Sequence, residues 1–81
     1  MEDQQTSDIL KHIGQRVAEL RRAQGMTQET FAARMGCSVK YLQRVEAGRQ
    51  NLSVKSLVKW SNALDVTMVD LFAGLTPQTA E

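Results

Sequence analysis

Apolar residues recur along this chain at helical spacing. Ile9, Ile13, Val17 and Leu20 stand four, four and three residues apart, which lines one side of a helix turning every ~3.6 residues. Ser7 suits the N-cap of that helix, Arg21 and Arg22 fall in its last turn, and Gly25 suits its stop. A second, short helix follows from Thr27, with Phe31, Ala32 and Met35 on its inner face and Gly36 at its end. Ser38 caps a third, in which Leu42 and Val45 face inward and Gly48 closes the pattern. After the loop "RQNLS", Ser53 caps a fourth helix with Leu57, Trp60, Ser61 and Leu64 at i, i+3, i+4 and i+7. Thr67 caps a fifth, Asp70 completes a capping box, Met68, Leu71 and Phe72 are apolar, and Gly74 ends it. No alternating strand pattern, internal repeat or low-complexity tract interrupts this series.

Five short helices joined by short loops predict an all-α fold, a compact bundle in one domain. The expected boundaries are a flexible segment over 1–7, the domain over 8–75 and a flexible tail over 76–81. Apolar residues make up 42% of the 81, enough for one small core and no second domain. No run reaches the ~18 apolar residues of a membrane span, and "MEDQQTSD" is too polar and acidic for a secretory signal. One cysteine and one histidine (Cys37 and His12) leave no zinc site and no internal disulfide. The expectation is a cytoplasmic protein with no metal, no cofactor, no membrane association and no small-molecule ligand. Catalysis is not indicated, since no Ser/His/Asp or Cys/His set, paired carboxylates or phosphate-cradling glycine loop is present.

Net charge is only +1, but it is unevenly placed. Residues 12–62 carry nine basic residues against three acidic ones, a local charge of +6, while both ends are acidic. A basic middle suits a binding face on a near-neutral protein; a merely solvated surface explains the charge equally well. The segment "TQETFAARMGCSVKYLQRVEAG" adds a specific geometry. Two helices joined by a short glycine-containing turn form a helix-turn-helix. Its second helix turns Leu42 and Val45 inward and Val39, Lys40, Gln43 and Arg44 outward. Arg and Lys donate to guanine in the major groove, and Gln pairs with adenine.

Residues 13–72, about three-quarters of the chain, carry "LRRAQGMTQ", "FAARMGCS", "YLQRVEAGR" and "ALDVTMVDLF". This string resembles the lambda-repressor-like, Cro/CI-type (XRE) helix-turn-helix family, with the motif at helices 2 and 3. The resemblance implies that Val39, Lys40, Gln43 and Arg44 contact base edges. It implies phosphate contacts from Gln28, Arg49, Asn51 and Lys55, with Tyr41 either joining them or packing at the core edge. Arg21 and Glu46 match an ion pair tying helix 1 to the end of helix 3. Cys37 matches a small buried position, which favours packing over redox sensing. His12 reads as a surface residue, and Arg16, Arg22 and Arg34 read as solubility charges, with Arg16 also near enough to approach a DNA backbone.

Two positions depart from the family pattern. Ala47 replaces a polar or basic residue, so one phosphate contact is missing or passes to Arg49. Trp60 replaces a smaller aliphatic, as a core plug or as a partly exposed dimer contact. The function implied is sequence-specific binding of double-stranded DNA by a homodimer at a palindromic operator, in the cytoplasm at the nucleoid. Met68, Val69, Phe72 and Leu75 would form the dimer interface, helped by Val58 or Trp60. The loop "RQNLSVKSL" resembles that of restriction–modification controllers. Phage-type repressors, antitoxins with a toxin protein as partner, and adaptors without DNA binding share the pattern. RNA polymerase is a further partner that a regulator would meet.

Overall fold

A computed structural model of the protein describes residues 4–75. Its elements are α1 (Gln4–Ala23), α2 (Gln28–Met35), α3 (Val39–Glu46), α4 (Val54–Ala63) and α5 (Met68–Leu71), with no strand among the described residues. The fold is therefore all-α. The hydroxyls of Thr27, Ser38, Ser53 and Thr67 each accept the backbone N–H three residues ahead. Each such cap is worth about 1 kcal/mol. At Thr67 the Asp70 carboxylate returns the bond at 3.0 Å, completing the capping box. These hydrogen bonds from Thr67 hold the Asp70 carboxyl below its ordinary pKa.

The first helix departs from expectation. It starts at Gln4, so Ser7 lies inside it and is not its cap, and residues 4–7 are helical instead of a flexible lead-in. Gln4 donates to Asp8 at 2.8 Å, one turn on, an i,i+4 pairing that extends a helix where no apolar stripe exists. Residues 1–3 and the expected flexible tail, 76–81, lie outside the described residues. The last helix is shorter than expected, ending at Leu71 with turns through Gly74.

All five helices contribute to one core, centred on Ile13, Val17, Phe31, Leu42, Val45, Trp60, Leu64 and Leu71. Leu10, Ala18 and Met26 are also buried, while Ile9 and Leu20 are half-buried at the margin. The buried face of α1 is thus wider than one four-residue stripe, as an apolar face of 100° or more requires. Trp60 is 2% exposed. Its ring lies 5.7 Å from Phe31 and 6.4 Å from Tyr41, nearly parallel to the latter at 16°. It fills the core and is unavailable to a dimer surface, which removes one of the two expected helpers.

Side chains of α1 close the ends of the later helices. Gln24, just beyond it, donates to the Leu64 carbonyl at 2.7 Å, Arg16 to that of Asp70 at 3.0 Å, and His12 Nε2 to that of Ala73 at 2.8 Å. Terminal carbonyls lack partners within their own helix, and α5 has only 4 residues, far too few to persist alone. This corrects the reading of His12 and Arg16 as surface and solubility residues, for both are half-buried fasteners.

Two glycines make the fold possible. Gly36 adopts φ 74°, ψ 30° after α2, a left-handed conformation open to glycine at little cost. There the Cys37 N–H reaches the Ala32 carbonyl at 3.0 Å, reversing the chain sharply. Gly14, buried in mid-helix, lets α1 meet the end of α3, because a Cβ there would collide with the Val45 carbonyl and stand 2.7 Å from that of Glu46. Alanine at position 14 would gain up to about 1 kcal/mol of helix propensity but forces the helices apart. Gly14→Ala should therefore lower stability by a net 1–3 kcal/mol, about the usual loss for overpacking. In urea the midpoint should fall at unchanged slope; an unchanged or raised midpoint would show that the two helices have room to spare.

Candidate nucleic-acid interface

Helix α3 is held by its inner face and offers its outer one. Leu42 and Val45 are 0% and 1% exposed, while Lys40, Gln43 and Arg44 face solvent. A concavity of about 300 Å³ is lined by Lys40, Gln43, Arg44, Ala47 and Arg49. Three of its five lining residues are cationic and none is acidic. Among the described residues, neither Lys40, Arg44 nor Arg49 has an ion-pair partner. Ala47 adds little bulk and no charge to the wall of the concavity.

Arg44 is ordered by two neighbours. Its Nε donates to Gln50 Oε1 at 3.2 Å, and its guanidinium carbon lies 5.8 Å from the Tyr41 ring centroid. That distance is within cation–π range. Tyr41 is half-buried with its ring on Trp60, so it packs at the core edge and presents one face to Arg44. Gln50 carries no signal in the sequence, since a polar loop residue is unremarkable until its neighbour is known.

A buried polar chain fixes the base of α3. Arg21 donates Nε to Glu46 Oε2 at 2.7 Å and a terminal nitrogen to Oε1 at 3.2 Å, with both side chains 8% exposed. Arg21 also donates to the Met26 carbonyl at 2.8 Å. Gln28, first residue of α2, donates to Glu46 Oε1 at 2.9 Å and accepts from Gln43 Nε2 at 3.3 Å. Helices α1, α2 and α3 therefore meet at one carboxylate. No buried side-chain nitrogen or oxygen is left without a partner among the described residues, so the cluster carries no unmet desolvation cost of the kind that makes buried charge expensive.

The remaining candidates are more scattered. Val39 is half-buried against the core, which limits how far it can reach. Asn51 and Lys55 are exposed but do not line the concavity. Met68, Phe72 and Leu75 are half-buried, and Val69 is 77% exposed. Val58 on α4 is 43% exposed. Cys37 is half-buried against the core, and burial raises its thiol pKa, an effect opposed by the nearby Lys59 ammonium. No helix among the described residues is long and apolar enough to cross a membrane.

This arrangement of two short helices about a left-handed glycine, with a cationic outer face, agrees with a match of residues 17–71 to the helix-turn-helix model HTH_3. The chain belongs to the XRE-type helix-turn-helix family. It is similar to an HTH-type transcriptional regulator, y4dJ of Sinorhizobium fredii, at 44% identity over 79% of this chain and 83% of that one. It is 31% identical to the control protein C.MunI of a Mycoplasma species, over 85% of this chain and 95% of that protein. Among solved structures, it resembles the restriction-modification controller protein C.AhdI of Aeromonas hydrophila. That match has a TM-score of 0.70 and 42% identity, and covers 80% of this helix-turn-helix chain and 97% of the controller. The protein is a transcription regulator of this family.

Proposed function

We propose that the protein binds duplex DNA sequence-specifically as a homodimer and regulates its own transcription, in the manner of a restriction–modification controller. The observation that carries this reading is the set of Lys40, Gln43, Arg44 and Arg49 around one acid-free concavity on α3. A helix of this kind fits the major groove, where its side chains meet base edges. Val39 contributes an apolar contact at its edge. Gln28, Arg49, Asn51 and Lys55 hold phosphates and set the register, while Tyr41 acts indirectly by shaping Arg44.

Dimerisation would use the exposed Val69 with Met68, Phe72 and Leu75, extended by Val58 on α4. A single small module buries little surface on DNA, and a second copy supplies both affinity and two-fold symmetry. The operator would then be palindromic. Similarity to C.AhdI and C.MunI supports the controller role above the other short regulators with this fold.

The test is binding to the DNA upstream of the protein's own gene across a salt series. A dimer bringing Arg49 and Lys55 twice should show a slope of log affinity against log salt of about −3.6 or steeper. A flat dependence, or equal affinity for unrelated DNA, would overturn the reading.

A further inference from the structure

Glutamine can read a base in either of two orientations, since its amide carries an acceptor on one side and donors on the other. In this protein the orientation of Gln43 is set from inside the fold. Arg21 has only donors, and the Glu46 carboxylate has only acceptors. Glu46 Oε1 therefore takes the amide nitrogen of Gln28, at 2.9 Å. That turns Gln28 Oε1 outward as an acceptor, and Gln43 meets it with its own nitrogen, at 3.3 Å. One N–H of Gln43 is then committed, leaving its second N–H and its carbonyl oxygen for a ligand.

A free donor beside a free acceptor matches adenine, which shows N7 as acceptor and the N6 amino group as donor in the major groove. Guanine shows two acceptors there, O6 and N7, and would leave the Gln43 oxygen facing another oxygen. We infer that the Arg21–Glu46 pair, acting through Gln28, fixes the polarity of the Gln43 amide and makes Gln43 an adenine reader. Gln28 is then a positioning residue for specificity, separate from any contact it makes with phosphate. This inference rests on the DNA-binding reading above.

Selection of bound fragments from random duplex DNA tests it, with the full chain and three variants. The unaltered protein should enrich adenine over guanine at one position per half-site, by roughly tenfold or more for a bidentate contact. Gln43→Ala should erase that preference and spare the other positions. Gln28→Lys keeps a donor toward Glu46 but offers a donor to Gln43. The Gln43 amide then turns over, and the preference at that position should move to guanine. Gln28→Ala, which leaves Arg21 and Glu46 paired, should bring adenine and guanine to within about threefold of each other, since the bidentate discrimination disappears. It serves where the lysine variant does not fold, as judged by helicity and melting. An adenine preference that survives both Gln28 variants overturns the relay, and one that survives Gln43→Ala overturns the assignment of Gln43. If the unaltered protein enriches no sequence at all, the DNA-binding reading itself has failed and the inference falls with it.

Discussion

Glu46→Ala should come close to unfolding the protein. Glu46 is the common acceptor for Arg21 and Gln28, and its removal leaves a guanidinium in the interior with the Met26 carbonyl as its one remaining partner among the described residues. Breaking a buried ion pair on one side costs about 3–5 kcal/mol. Small domains have about 5–15 kcal/mol in total. At 4–8 °C per kcal/mol, the melting temperature should fall by roughly 12 °C or more. Scanning calorimetry or thermal circular dichroism gives the answer directly. A loss below about 1 kcal/mol would place the pair with exposed salt bridges, and the account of how α3 is anchored would be wrong.

The double change Lys40→Ala with Arg44→Ala should do the opposite, leaving the fold intact and removing the function. Both residues are exposed, and neither belongs to the core. Among the described residues, Arg44 hydrogen-bonds Gln50 and lies over one face of Tyr41, so stability should change by no more than about 0.5 kcal/mol for each surface substitution. A side chain that pairs well with a base supplies about 1–3 kcal/mol of discrimination. Without both, the ratio of specific to non-specific affinity should drop by roughly 30-fold to 10⁴-fold. Titration of operator and scrambled duplexes at one salt concentration measures that ratio. A ratio that survives the double change would mean that α3 does not read bases through these two side chains.

The fold is legible in the sequence where local chemistry decides it. Four hydroxyl caps, the Thr67–Asp70 box and the glycine breaks each act within a few residues. Periodicity finds the inward faces of α2, α3 and α4 for the same reason. The start of α1 escapes because Gln4–Ser7 have no apolar stripe and rest on a polar side-chain bond. Spacing misplaces His12 and Arg16 because their partners lie 61 and 54 residues away, beyond any local rule. It puts Trp60 on the inner face of α4, yet only the stacking between Phe31 and Tyr41 separates a core plug from a contact surface. The contact between Gln28 and Gln43 leaves no trace in the sequence, because a half-buried glutamine and an exposed one look alike until their neighbours are known.

The fasteners on α1 also bear on how the molecule is made. Helix α3 is complete at residue 46, but the carbonyls that Gln24, Arg16 and His12 secure belong to residues 64, 70 and 73. A chain still emerging from the ribosome therefore has Lys40 and Arg44 well before the contacts that fasten α4 and α5 to α1. These three bonds can form only after residues 64, 70 and 73 have left the ribosome, so the end of α4 and the four-residue α5 are the last parts of the molecule to be secured.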